Sequence, residues 1–106
     1  MNIRYDLPTE ILKRLELVYS RMPGWLGFGK EGKGFDGIPY WFSFDENEKY
    51  IQGSIEPSGL LLEAYMDEDE WLSWKANFKV VATELLRFKV GEIEEGEVGH
   101  EIEWID

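Results

Sequence analysis

His100 is the only histidine in the chain, and it is the side chain whose ordinary pKa best suits acid–base work near neutral pH. An imidazole that catalyses needs a nucleophile to activate or a carboxylate to orient it, and the surrounding spacing marks neither. Val98 and Ile102 alternate with His100, so the pattern reads as a strand face carrying a structural histidine. Carboxylate pairs of the kind that cleave glycosides are available anywhere among 22 Asp and Glu, which removes their value as a signal. There is no cysteine, so a catalytic thiol, a zinc–thiolate site and a disulfide framework are all excluded.

Glycine spacing offers a second chemistry, phosphate binding. Gly27-Phe28-Gly29-Lys30-Glu31-Gly32 and Gly32-Lys33-Gly34-Phe35-Asp36-Gly37 both match G-x-G-x-x-G. A dinucleotide turn needs a strand before it and a helix after it, so that the helix N-terminus meets the pyrophosphate. Here a helix and Pro23-Gly24 come first and a strand follows. Gly27–Lys33 also reads G-x-x-x-x-G-K, with Gly34 where Ser or Thr would hold Mg²⁺. The segment is expected to be a long flexible loop anchored by Trp25, Leu26, Phe28 and Phe35, with a short strand within it as the alternative. Calcium patterns fail similarly: Asp67-Glu68-Asp69-Glu70 begins D-x-D, but Trp71 and Leu72 replace the next oxygen ligand and the turn glycine. No cofactor and no metal site are expected.

The elements that must position these groups follow from periodicity. Leu7, Ile11, Leu12, Leu15, Val18, Tyr19 and Met22 recur at helical steps, with Asp6 as candidate cap, Pro8 in the first turn and Pro23-Gly24 as stop. Residues 38–45, 49–56 and 60–66 read as three strands joined by the turns Asp45-Glu46-Asn47-Glu48 and Pro57-Ser58-Gly59. In the first of these strands, Tyr40, Phe42 and Phe44 are expected to share one face and Trp41 to point away. A second helix opens at Asp67 with Glu70 at capping-box spacing. Its stripe is Trp71, Trp74, Phe78, Val81, Leu85 and Phe88, which reads as core, and Gly91 is the expected end. A last strand is expected over Val98–Trp104. The whole is one α+β domain, residues 1–106, in the order α-β-β-β-α-β, with an antiparallel sheet of about four strands and two helices.

The net charge is −11, and it is unevenly spread. Residues 1–33 hold six Lys or Arg against four Asp or Glu, a net of +2, whereas residues 34–106 hold five against 18, a net of −13. Seven acids and no base occupy residues 91–106. This balance argues against a nucleic-acid or anionic-membrane partner, both of which call for Lys and Arg. At 43% hydrophobic and 15% aromatic residues the chain is too apolar for a disordered acidic tail. No apolar run approaches a membrane span or a signal peptide, so a cytoplasmic location is expected.

Ile38-Pro39-Tyr40-Trp41-Phe42, Ile55-Glu56-Pro57-Ser58-Gly59-Leu60 and Leu85-Leu86-Arg87-Phe88-Lys89-Val90-Gly91-Glu92, set in a small acidic Cys-free α+β chain, resemble the immunity proteins of bacterial toxin systems, including contact-dependent inhibition. The likeness spans residues 35–95 and is one of style rather than of a shared motif. It implies a non-enzymatic inhibitor of a basic partner, a toxin domain of nuclease type. The acids expected to meet that partner are Asp45, Glu46 and Glu48 on the first strand turn, with Glu92, Glu94, Glu95, Glu97, Glu101 and Glu103 in the tail. Trp25 or Trp41 is the expected apolar anchor. Two other classes stand beside this one: a small-molecule or enzymatic domain using a pocket between the Gly-rich loop and the sheet, and a homodimer formed through the exposed sheet face or the last strand.

Overall fold

Helix α1 (Thr9–Arg21) forms where the apolar stripe predicts it, and it buries Ile11, Leu15, Val18 and Tyr19. Its start differs in detail. Pro8 occupies the cap position without a side-chain hydrogen bond, and its carbonyl takes the first helical N–H groups, from Ile11 and Leu12. Asp6, the candidate cap, pairs instead with Arg4 at 2.9 Å. The fixed φ of proline starts the helix without a cap from Asp6.

Four strands follow: β1 (Trp25–Phe28), β2 (Pro39–Trp41), β3 (Tyr50–Glu56) and β4 (Gly59–Tyr65). They form one antiparallel sheet in the order β1-β2-β3-β4. Helix α2 (Glu68–Leu86) then opens as its capping-box spacing predicts, with the Asp67 carboxylate accepting from the Glu70 N–H at 3.3 Å. This is a computed structural model, and it describes residues 1–105. The α+β class, the two helices and the four antiparallel strands are those expected from the sequence.

The fourth strand, however, comes from the Gly-rich segment rather than the tail. Glu31 and Gly32 both take positive φ, 50° and 85°, the combination of a type I′ turn, and the chain folds back on itself. Lys30 and Lys33 exchange two backbone hydrogen bonds, and Gly29 bonds to Ile38 and Gly37. The expected flexible loop is therefore an ordered, internally bonded hairpin extension that aligns β1 with β2. Among the described residues the tail makes a single β-bridge, Phe88 with Trp104. At Leu60 the outer edge of β4 is taken not by the tail but by Met1, through paired hydrogen bonds of 2.8 and 3.1 Å.

Both helices pack on one face of the sheet. Trp41, Ile51 and Leu60 project from that face to meet Tyr19, Trp74, Phe78, Ala82 and Leu86. The expected alternation along β2 fails at Phe42, whose φ of 72° ends the strand. Tyr40 and Trp41 still face opposite ways, but with the faces exchanged. Trp41, opposite Ile51, enters the core, whereas Tyr40, opposite Gln52, is buried on the other face beneath the Gly-rich hairpin, its ring 5.2 Å from Phe44 and its hydroxyl accepting from the Phe35 N–H at 2.9 Å. Trp41 is fully buried, with ring centroids of Tyr19, Trp25 and Trp74 5.1–5.3 Å away and its indole N–H donating to the Tyr19 carbonyl at 3.0 Å.

Helix α2 ends at Arg87, in the left-handed conformation, and not at Gly91. That turn directs Phe88 into the core and lets the Thr83 hydroxyl accept from the Val90 N–H at 3.0 Å. Asn2, buried, then locks the first residues to this segment: its amide donates to the Lys89 carbonyl and accepts from the Gly91 N–H, at 2.8 and 2.9 Å. Among the described residues no helix is long and apolar enough to cross a membrane.

Candidate protein-binding face

The helix-free face of the sheet follows from period-2 alternation. With Ile51, Gly53 and Leu62 turned to the helices, Tyr50, Gln52, Ser54, Leu61, Glu63 and Tyr65 point the other way. Register places Tyr50 directly opposite Tyr65 and Gln52 opposite Glu63, and the pairs interact: the tyrosine rings lie 6.5 Å apart, and the Gln52 amide donates to Glu63 at 3.2 Å. Tyr65 and Leu61 are exposed. Aromatic and aliphatic groups standing beside carboxylates on an uncovered face are the composition of a protein-recognition surface.

The acids at one end of this face are gathered by the hairpin itself. Glu48 lies two residues before β3 and Asp67 two residues after β4, so antiparallel pairing sets the β2–β3 turn beside the start of α2. Lys49 fastens them: its ammonium pairs with Glu70 and lies 4.3 Å from the Phe42 ring centroid. Asp45, Glu46, Glu48, Glu68 and Asp69, all exposed, thus share one end of the molecule with the Tyr50–Tyr65 pair. The turn is held in shape by its own bonds. Asp45 accepts from the Asn47 N–H at 2.9 Å, and the Ser43 hydroxyl donates to Glu48 at 3.1 Å. In the sequence Glu68 and Asp69 belong only to a failed calcium pattern. The signal that identifies them is their position at the end of a strand paired with β3.

The tail acids lie elsewhere and divide into two kinds. Glu92 sits 3.5 Å from the Met1 ammonium and 3.9 Å from the Lys75 ammonium. Glu97 pairs with Lys79 at 2.9 Å and accepts from the Glu92 N–H at 2.8 Å. These bonds, chiefly the one from Lys79 and then the one from the Glu92 backbone, hold the Glu97 carboxyl below the usual carboxylate range. Glu92 and Glu97 therefore dock the 92–97 turn onto α2. Glu94, Glu95, Glu101 and Glu103 are exposed. Met1 and Glu92 adjoin Leu60, at the β3–β4 turn, so this set stands at the opposite end of the hairpin from Asp45–Glu48, roughly 20 Å away along β3. In the sequence the hairpin and tail acids read as one contact set, and the fold separates them.

Neither tryptophan is an outer-face anchor. Trp41 is sealed in the core, which corrects the expectation that it points outward. Trp25 is half-buried on the edge strand with its ring turned inward against Tyr19 and Trp41. The aromatic pair that β3 and β4 present on the open face is Tyr50 and Tyr65, placed there by alternation, whereas Tyr40 on the same side is buried. His100 is exposed and borders a shallow hollow of about 460 Å³ beside Met1, Arg4 and the β3–β4 turn. A second hollow, about 320 Å³ and mostly apolar, opens between α1 and the sheet beside the end of the Gly-rich segment. Comparison with known family models, with curated proteins and with solved structures returned no match.

Proposed function

We propose that this chain is a non-enzymatic acidic binding protein that inhibits a basic partner, a bacterial toxin domain of nuclease type. The observation that supports this reading best is the Tyr50–Tyr65 pair on the open sheet face, flanked by Glu48, Glu63, Glu68 and Asp69. A surface that binds nucleic-acid phosphates is lined with Lys and Arg. The carboxylate end complements such a surface and steers association, with rates up to ~10⁸–10⁹ M⁻¹s⁻¹ at low salt. The tyrosines supply contact area at small entropic cost and anchor the complex once formed. The acids set the on-rate, and the aromatic pair sets the off-rate.

The test is titration with the product of the neighbouring gene at about 50 and 300 mM salt, across the Debye-length range where exposed charges become screened. Reversing Glu46, Glu48 and Asp69 to Lys slows association at least tenfold at low salt and leaves dissociation nearly unchanged. Tyr65→Ala speeds dissociation by tenfold or more, the loss expected of an aromatic hot spot of about 2 kcal/mol. Absence of binding, or an on-rate indifferent to both salt and charge reversal, refutes the reading. Slowed association from reversing only Glu94, Glu95, Glu101 and Glu103 moves the site to the tail.

A further inference from the structure

The hollow between α1 and the sheet contains a polar group that the fold leaves unused. Leu12, Leu15, Phe28, Ile38, Pro39 and Ile55 form its walls, and its volume of about 320 Å³ lies at the small end of ligand sites. Tyr19 also lines it and is only 4% exposed. Its ring belongs to the core aromatic cluster, in contact with Trp25, Phe28, Trp41 and Phe78. Its hydroxyl has no hydrogen-bond partner among the described residues and, unlike its ring, is not sealed from solvent: no buried side-chain oxygen there is left without a partner. Side chains on a helix lean toward its N-terminus, so this hydroxyl lies over the turn that carries Leu15 and Glu16. Glu16 stands exposed at the rim of the hollow and forms no ion pair among the described residues. Burial first, and the Glu16 charge second, push the Tyr19 phenol upward, so it remains a neutral O–H.

The three features select a ligand class. Apolar walls require a compact hydrocarbon or aryl body. A hydroxyl that no protein group engages and that opens on the hollow favours a ligand with a complementary polar head. A carboxylate at the mouth favours a cation and repels an anion. We infer that this hollow is a binding site for a small hydrophobic ammonium ion, an aryl- or alkylamine, whose N–H groups reach the Glu16 carboxylate and the Tyr19 hydroxyl while its body fills the space between α1 and the sheet. An ammonium has three donors and no acceptor, which matches two oxygen acceptors at the mouth and floor. The site lies on the helix side of the sheet and is independent of the open tyrosine face.

Titration with 2-phenylethylammonium, 2-phenylethanol and phenylacetate, followed by methyl NMR of isotope-labelled isoleucine, tests this. The ammonium shifts the Ile38 and Ile55 signals with a Kd of about 1 mM, as a ligand of this size permits. The neutral alcohol binds several-fold more weakly, and the carboxylate at least tenfold more weakly. Tyr19→Phe weakens ammonium binding about fivefold, the effect of one hydrogen bond. Glu16→Gln, at an exposed position that leaves the core untouched, weakens it about threefold and removes the preference over the alcohol. Equal binding of all three probes overturns the inference. So does an absence of Ile38 and Ile55 shifts up to about 10 mM, or a preference that survives Glu16→Gln.

Discussion

Trp41→Phe is the sharpest test of how this fold is held, because the residue that alternation turns outward is the one the structure buries completely. Three losses contribute. The smaller ring leaves a void of roughly 40 Å³, which at about 24 cal/mol per Å³ costs about 1 kcal/mol if the surroundings do not collapse. The missing carbons forgo a transfer gain of about 1 kcal/mol. The indole N–H no longer donates to the Tyr19 carbonyl, 3.0 Å away. That carbonyl keeps a second donor, the Met22 N–H at 3.2 Å, so it is not orphaned and the loss stays near 0.5 kcal/mol. The sum is about 2.5 kcal/mol, a large share of the ~5–15 kcal/mol typical of a domain. Urea unfolding followed by far-ultraviolet circular dichroism reads it as a midpoint lowered by about 1–2 M at unchanged slope. A loss below about 0.5 kcal/mol would place Trp41 outside the core and refute the inward turn of β2. A changed slope would show instead that the substitution altered the compactness of one of the states.

Three further perturbations follow from the same contacts. Asn2→Ala strips the Gly91 N–H and the Lys89 carbonyl of their side-chain partner; it destabilises by about 2–3 kcal/mol and speeds amide hydrogen exchange in residues 88–98, and unchanged exchange there argues against the lock. Gly59→Ala places a Cβ against the Met1 carbonyl oxygen at a φ of +123°, so the melting temperature falls by several degrees, whereas Gly99→Ala, which meets nothing within 4 Å, leaves it nearly unchanged. The Glu97 carboxyl titrates lower in the fold than in the unfolded chain, so the docking of the 92–97 turn is complete above the usual carboxylate range and is lost as pH falls through the depressed folded value; the Glu92 amide resonance reports this, and Glu97→Gln removes the response.

Much of this fold is legible as pattern. Both helices, the β3–β4 hairpin and the Asp67 cap are local: each depends on side-chain spacing within one segment, or on a turn joining adjacent segments, and periodicity reads such features directly. The misplaced fourth strand shows where pattern stops. Val98, His100, Ile102 and Trp104 alternate well, yet a strand needs a free edge, and Met1 holds the β4 edge at Leu60 from the far end of the chain. Trp25–Phe28 looks like loop because Gly24, Gly27 and Gly29 flank and interrupt it, yet a type I′ turn brings it to β2. The candidate site divides in the same way. The acids of the first turn were legible because they are consecutive, whereas Glu68 and Asp69 join them only through strand pairing.

The amino-acid sequence by itself determined the class of fold, the amphipathic helix faces and the acidic character of residues 34–106, since each is a property of composition or of short-range spacing. Only the tertiary structure decided which carboxylates are spent and which are presented. Glu92 and Glu97 are engaged by Lys75, Lys79 and the Met1 ammonium, while Glu46, Glu68 and Asp69 stand exposed beside the tyrosine pair. It also decided that Trp41 is core and Tyr65 is surface. The reason is physical: Trp41 stands opposite Ile51 and Tyr65 opposite Tyr50, so which is core depends on which sheet face the helices cover, just as which carboxylate is spent depends on a cation brought from another element, and neither is written in the neighbouring residues.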